Sequence, residues 1–456
     1  MIQRIQPAVA PAYLFLCLLL GGSPQGIWSN AILQLLAIAL IAWALIERRD
    51  EFLPRPVKQL LILISLAVGM VLIQLIPLPV SLWSALPGRD FVTQGFKLLG
   101  VKPDAMPISL SPYDTIATLP AFLPSLGMLA ATIGLRAYRK AWLAGVLIAG
   151  AAAGILLGIL QVNSPAPEQS PWYLFNISSF GVATGFFANG NHMATLLLIA
   201  IPFTAATGVR IRERSSNIWI RLVCLALAAS GLALAIFSLI LNQSLAGYGL
   251  GVPVVFASLL ILFGPPSHWA RGGLLVTGLI SFAAMIALLW AGPISQQLDR
   301  IGASTSITSH QQIIISSLSL AQEFAPVGTG LGTFTKVYPL LEDPRIADRF
   351  YVNHAHNDYI ELAVEMGLPG IILIFFFLIW WWAAVWRMLC SPAVDQFAIA
   401  GAIASATILL HSIVDYPLRT AAISAVFAMC LALILQSRKN VRSEHDLRLT
   451  RHMVVG

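Results

Sequence analysis

Residues 369–388 read PGIILIFFFLIWWWAAVWRM, with Arg387 their only charge. A hydrocarbon core about 30 Å thick takes roughly 20 residues of helix, because each residue rises about 1.5 Å. This stretch has that length and no repeating polar face. Its indole rings, Trp380, Trp381, Trp382 and Trp386, cluster toward one end, as they do where a helix meets the membrane–water boundary. It reads as a membrane-spanning helix, and it decides the fold class.

The rest of the chain repeats the pattern. Of 456 residues, 58% are hydrophobic and only 10% are Asp, Glu, Lys or Arg, against about a quarter charged in soluble domains. Mean hydropathy is +0.81. These values exclude an ordinary water-soluble enzyme, a disordered tail and a nucleic-acid-binding module, so no nucleic acid is expected as a partner. Comparable apolar stretches lie near 8–22, 27–46, 59–79, 115–134, 141–161, 191–209, 219–241, 246–264, 273–291, 395–414 and 418–437. With 369–388 they make an all-α polytopic membrane protein of about twelve spans. The Leu14–Leu20 run lacks an Ala-x-Ala cleavage site and a second span follows at once, so the start is read as a span rather than a removable signal.

Charge placement orients the bundle. With the N-terminus cytoplasmic, 19 of the 27 Lys and Arg residues fall inside and 13 of the 20 acidic residues fall outside. The positive-inside rule favours that arrangement. The chain then divides into a bundle of about nine spans over 1–291 with outer loops at 80–114 and 162–190, a large outer loop at 292–368, three spans over 369–437 and a basic cytoplasmic tail at 438–456. Within the large loop, Ile313–Phe324 has a helical apolar stripe and is expected on the membrane surface. Cys17, Cys224, Cys390 and Cys430 form no CxxC pair, so neither structural zinc nor a disulfide framework is expected.

The outer loop collects the unusual polar chemistry. Its end reads Tyr351-Val-Asn-His-Ala-His-Asn-Asp-Tyr-Ile-Glu-Leu-Ala-Val-Glu-Met-Gly-Leu-Pro-Gly370. Asn353 or Asn357 can cap a short helix that runs to Met366, and Gly367 with Pro369 ends it. On a helix, His354 and His356 would point apart and share no metal, whereas Asp358, Glu361 and Glu365 share a face. Either these groups cap and solvate that helix, or they make a site. Arg300, Arg345 and Arg349 lie upstream and Arg419 follows span eleven. Guanidinium groups there suit the diphosphate of a lipid-linked donor, and a histidine suits a proton taken from a sugar hydroxyl. For each arginine, a solvated or snorkelling side chain is the other reading. Asn189, Asn191 and His192, where span six begins, either cap that helix or contact glycan hydroxyls; Asp415 and His411 invite the same two readings.

Other motifs are weak. Gly328-Thr-Gly-Leu-Gly332 lacks the Gly-Lys-Ser/Thr ending of a phosphate-binding loop, and no nucleophile elbow is present. Asp90, Asp104 and Asp114 are scattered rather than paired. No metal and no cofactor are expected.

Taken together, these elements resemble the O-antigen ligase and O-antigen polymerase superfamily of bacterial envelope enzymes. The family signature is His-Asn/Ser/Gln, nine residues, then Gly-x-x-Gly/Thr/Tyr. His356-Asn357, residues 358–366 and Gly367-Leu-Pro-Gly370 fit it. Phe187-Ala-Asn-Gly-Asn-His192 resembles the family's Asn-Pro-Asn-His element, and Pro326-Val-Gly-Thr-Gly-Leu-Gly332 its Pro-x-x-Gly-x-Gly-x-Gly stretch. Two positions depart from the pattern: Ser244-Leu245-Ala246-Gly247 stands where Ser-Arg-Gly is common, and His310 where an arginine often precedes the loop helix. The resemblance covers about 180–420.

It implies a GT-C-like bundle in the bacterial inner membrane, with a large periplasmic loop before the tenth span. It also implies a metal-independent, inverting transfer from a polyprenyl-diphosphate-linked glycan donor to a glycan or lipid A-core acceptor, as polymerase or ligase. His356 would be catalytic and Arg300, Arg345 and Arg349 would hold the diphosphate. His354, Asn357, Asp358, Asn189, Asn191, His192 and Arg419 would contact substrate. The alternative is a transporter or flippase for lipid-linked oligosaccharide. A transporter, however, usually keeps its binding residues near the bilayer midplane, and here polar groups gather at the outer surface.

Overall fold

The computed structural model describes residues 6–47, 53–214, 217–219, 242, 244–263, 304–342, 352–391 and 394–436. The spans expected at 219–241 (save Trp219) and 273–291 lie outside the described residues, as do Arg300, Arg345 and Arg349.

The described chain is helical throughout, apart from loops and one small ribbon. Its longer helices are α1 (Val9–Leu20), α2 (Ile27–Glu47), α3 (Arg55–Gln74), α4 (Asp90–Leu98), α5 (Pro112–Gly134), α6 (Lys140–Val162), α7 (Gly190–Arg214), α8 (Leu245–Phe263), α9 (Ser304–Glu323), α10 (Asp358–Leu389), α11 (Gln396–His411) and α12 (Ala421–Leu435). Among them α2, α3, α5, α6, α7, α8 and α10 are long and apolar enough to cross a membrane. The shorter apolar helices α1, α11 and α12 fall at three further expected positions. The ribbon pairs β1 (Pro77–Pro79) with β2 (Ala105–Pro107), antiparallel, with Leu78 opposite Met106.

α7 is the axis of the bundle. An unbroken run from His192 to Phe203 is buried, as befits a helix apolar all round, and α6, α8 and α11 pack on it. Small residues let the neighbours close in: a Cβ at Gly127 on α5 would lie 2.7 Å from the Cβ of Ala37 on α2. At the periphery the large side chains point the other way. Trp28, Leu35, Leu61, Ile62, Phe375 and Phe376 are all exposed, which suits a surface solvated by hydrocarbon rather than water.

Polar contacts sort to the two ends of the bundle. At one end Lys140 Nζ meets Asp395 at 2.6 Å, Tyr138 Oη donates to Gln436 at 2.6 Å and Trp380 Nε1 donates to the Pro56 carbonyl at 3.0 Å. At the other, Gln25 reaches Ile177, Gln161 reaches Gly185, Asn242 reaches Ala183 and Gln74 reaches Glu365. The segments read as inner from their basic charge thus share one end. The loops read as outer share the other.

A second, smaller core sits at that loop-rich end. Ile313, Leu320 and Phe324 of α9 pack with Phe334, Val337, Tyr338, Ala355 and Val364. Part of the stripe expected on the membrane surface, Ile313, Leu320 and Phe324, therefore faces protein, because Val364 of α10 and the 334–338 segment present apolar partners that the local sequence does not reveal, while Ile315 and Leu318 stay exposed. Arg89 joins the first outer loop to this core. It is fully buried, lies 5.5 Å from the Trp83 ring and 5.6 Å from that of Phe324, and donates to the carbonyls of Ile108 at 2.7 Å and Gly328 at 3.0 Å. Burial lowers its guanidinium pKa to about 10.

Candidate functional site

The site begins with a helix start. Asn357 has extended backbone and its side-chain oxygen accepts from the Tyr359 and Ile360 amides, both at 3.0 Å. It thereby satisfies two donors that a helix start leaves unpaired. Beyond the nine residues 358–366, Gly367 takes φ 60°, ψ −149° and breaks α10. A Cβ there would run into the Pro326 carbonyl oxygen, so only glycine fits. The short helix ending at Met366, expected from the spacing, is what forms.

Its start is fastened to the turn between α11 and α12. The Asn357 amide donates to the Ile413 carbonyl at 2.6 Å, the Asp358 N–H to the Ser412 carbonyl at 2.9 Å, and the Ser412 hydroxyl to the Asp358 carboxylate at 2.8 Å. That turn delivers Asp415, Tyr416 and Arg419 to the same place.

Asp415 is the hub. It is wholly buried, and His356 Nδ1 and Asn189 Nδ2 each approach it at 3.3 Å, with His192 Nε2 at 3.8 Å. Burial alone would raise its pKa, but the hydrogen bond from His356 and the charges of His192, His356 and His411 outweigh that. The carboxyl is held below the usual range and stays ionised. His356 occupies the left-handed region at φ 50°, uncommon for any residue but glycine and typical of backbone held for function. Its side chain is 19% exposed, so the imidazole touches both the buried carboxylate and the surface.

Tyr416 packs among the histidines. Its ring centroid lies 4.1 Å from that of His354, 5.0 Å from His192 and 5.2 Å from His356. Burial pushes its phenol pKa up, so the hydroxyl remains protonated.

Beside this group sits an ion cluster. Arg419 lies 3.2 Å from Glu361, 3.1 Å from Glu365 and 3.6 Å from Asp358. Burial opposes its charge and the three carboxylates more than restore it. Glu361 also holds His354 Nδ1 at 2.8 Å and the Ala355 amide at 2.9 Å. Glu365 accepts from the Gly332 and Phe334 amides at 2.9 and 3.3 Å. The glycine-rich loop therefore cradles a carboxylate of its own chain. Gly328 has φ +80°, and a Cβ there would lie 2.6 Å from the Glu365 carbonyl oxygen.

Seven expected residues come together here: His356, His354, Asn357, Asp358, Asn189, His192 and Arg419. Three details specify what the sequence left open. The two histidines precede the helix rather than riding on it, because the cap is at Asn357, and both lie against Tyr416. Arg419, read in the sequence either as a substrate contact or as a solvated side chain, is met by carboxylates of the motif helix. Asn189 caps α7, accepting from the Asn191 amide at 2.8 Å, while Asn191 contributes backbone to that start. Tyr416 was missed and carries no local signal. Asp415 was visible as a carboxylate just beyond an apolar span, but not as the partner of His356.

The arrangement suits proton removal at a partly exposed imidazole. An ionised, buried carboxylate fixes the ring, keeps the proton on Nδ1 and stabilises the imidazolium formed when a second proton arrives. Among the described residues, no group of three His, Cys, Asp or Glu is arranged to hold a metal ion. Residues 230–375, which include the His356–Gly370 motif, match the family model described as O-antigen ligase. No curated protein matches the chain.

Proposed function

From the match of residues 230–375 to the family model described as O-antigen ligase, we propose that the chain transfers a glycan from a polyprenyl-diphosphate-linked donor to a hydroxyl acceptor. The observation that carries this reading is the His356–Asp415 pair at 3.3 Å, with the imidazole partly exposed and the carboxylate wholly buried. In the proposed step His356 takes the acceptor hydroxyl proton as the oxygen attacks the anomeric carbon. The bond to the diphosphate breaks on the opposite face, inverting the configuration, and the polyprenyl diphosphate leaves with the electron pair. Stabilising that charge is the larger electrostatic demand. We assign it to Arg300, Arg345 and Arg349. Asp415 is a positioning residue for His356.

Arg419 has a different task in this reading. Its charge is balanced by Asp358, Glu361 and Glu365, so it fixes the motif helix on which the His354–His356 lead-in depends. Asn189 and His192 hold Asp415 from the other side, and Tyr416 spaces the rings. The reaction takes place on the periplasmic face of the inner membrane, and the acceptor is a growing glycan or lipid A core.

The test is His356→Ala in a strain lacking the native gene. Long-chain glycan should vanish from a gel while the protein keeps its normal membrane abundance. Undiminished glycan would refute the assignment. Single repeat units left on the acceptor in the null strain would identify a polymerase; bare acceptor with accumulated lipid-linked chains would identify a ligase.

A further inference from the structure

The first outer loop, residues 80–114, carries an apolar edge on its helix α4. Phe91 and Leu98 share one line along that helix, and both are exposed, Leu98 at 89%. Leu99 and Val101, just past its end, are exposed as well. Asp90, Gln94 and Lys97 take the adjoining polar side, and Val92 and Phe96 are half-buried. The edge is held in place at both ends. The Gly100 amide donates to the Lys97 carbonyl at 3.2 Å and the Val101 amide to that of Phe96 at 3.0 Å. These bonds close a helix around a left-handed glycine, here at φ +67°. Arg89, immediately before α4, is pinned by the Trp83 and Phe324 rings and by the Ile108 and Gly328 carbonyls. A Cβ at Gly88 would lie 2.4 Å from the Phe324 ring, so the start of α4 is seated on the smaller core.

The loop sits where the bilayer ends. It leaves α3 at Leu72, Ile73 and Ile76 and joins α5 at Tyr113 and Ile116, all exposed, so the hydrocarbon-facing surface of both spans runs up to it. The ribbon that closes its base starts at Pro77, directly after Ile76, which leaves no stalk between loop and membrane. An exposed apolar edge in this place marks a contact surface. Lys97 and Lys102 flank residues 98–101 and are exposed, positions from which long side chains reach lipid phosphates. Asp90 and Asp104 match them in number, so the hold comes from the apolar edge and not from an anionic lipid. We propose that the outer leaflet of the bilayer covers the edge formed by Phe91, Leu98, Leu99 and Val101, with α4 lying in the boundary plane as an anchor for the first outer loop. The edge continues a surface that lipid already covers, which selects lipid over a second copy or a soluble protein.

Nitroxide labelling tests it. The full chain, its four native cysteines replaced by alanine, is labelled at one position at a time and placed in dioleoyl phosphatidylcholine nanodiscs. Relative to a water-soluble nickel chelate, oxygen should relax a nitroxide at Leu98→Cys or Leu99→Cys about threefold or more better than one at Lys97→Cys, as expected for a helix half sunk in the boundary. Equal access of the chelate at all three positions would put the edge in water. Shielding of residues 98 and 99 from both reagents would put it against protein. Either result would overturn the proposal. A second measurement keeps the native cysteines: Leu98→p-benzoylphenylalanine, irradiated in inner-membrane vesicles, should give adducts with phospholipid. Adducts with a second copy of the chain or with another protein, and none with lipid, would count against the anchor in the same way.

Discussion

His356 and Asp415 stand 59 positions apart in the chain and meet at 3.3 Å, the imidazole at the surface and the carboxylate beneath it. The pairing makes Asp415→Asn informative. The amide preserves shape but removes the charge that stabilises the imidazolium. Turnover should fall by about 10²-fold or more, within the range general-base catalysis supplies, with KM little changed. Steady-state kinetics on purified protein decides it: an effect confined to KM would assign Asp415 to substrate binding instead.

Arg419 answers to three carboxylates, two of them almost fully buried. Arg419→Met leaves these charges uncompensated, and breaking such a cluster typically costs about 3–5 kcal/mol. The thermal midpoint in detergent should drop by many degrees. Arg419→Lys should recover only part of it, because an ammonium cannot bridge three partners as a planar guanidinium does. Equal midpoints for all three proteins would show that the cluster contributes nothing.

Gly367 and Gly69 make a matched contrast. Gly367 is left-handed, with a carbonyl where a Cβ would go, whereas Gly69 on α3 has open space around it. Gly367→Ala should destabilise by more than about 1–2 kcal/mol; Gly69→Ala should be neutral or stabilise by up to about 1 kcal/mol. Size-exclusion melting curves measure both.

Asp415 lies outside the spanning helices and its pKa is depressed in the folded protein. Its stabilising contribution is then fully present above the ordinary carboxylate value of about 3.9 and is lost as pH falls below that toward the folded value. The stability gap between the native protein and Asp415→Asn should hold steady from pH 7 to about pH 5 and close below about pH 4. Chemical unfolding across that series provides the check; a gap already closed at pH 5 would contradict the depressed pKa.

Orientation can be read with thiol labelling. Lys336 belongs to the loop-rich end, while Cys390 is exposed at the end of α10 that carries Arg387. A membrane-impermeant maleimide should modify Lys336→Cys from the periplasmic side and reach Cys390 only after the inner membrane is opened. The opposite order would invert the bundle.

The parts of this molecule that length and local chemistry decide were legible in the sequence. Apolar runs located the described spanning helices, and Asn357 with Gly367 and Pro369 gave both ends of the motif helix, because caps and left-handed turns are read from adjacent residues. What depended on distant partners was hidden. Nothing beside His356 points to Asp415, and the glycines of 328–332 announce a tight loop without saying that Glu365 fills it. The Ile313–Phe324 stripe shows the same limit. A stripe reveals that a face will be covered, and the cover here is Val364 and its neighbours.

The stretch from Asn357 to Gly367 behaves as a ruler. One end is tied to Ile413 and the other is docked on Pro326, so the turns between them are fixed in number. One inserted residue would rotate everything downstream by about 100°, swinging Glu365 away from Arg419 or pulling an anchor loose. Residue identity along this interval can drift as long as its count does not, which gives the nine-residue spacing a mechanical origin.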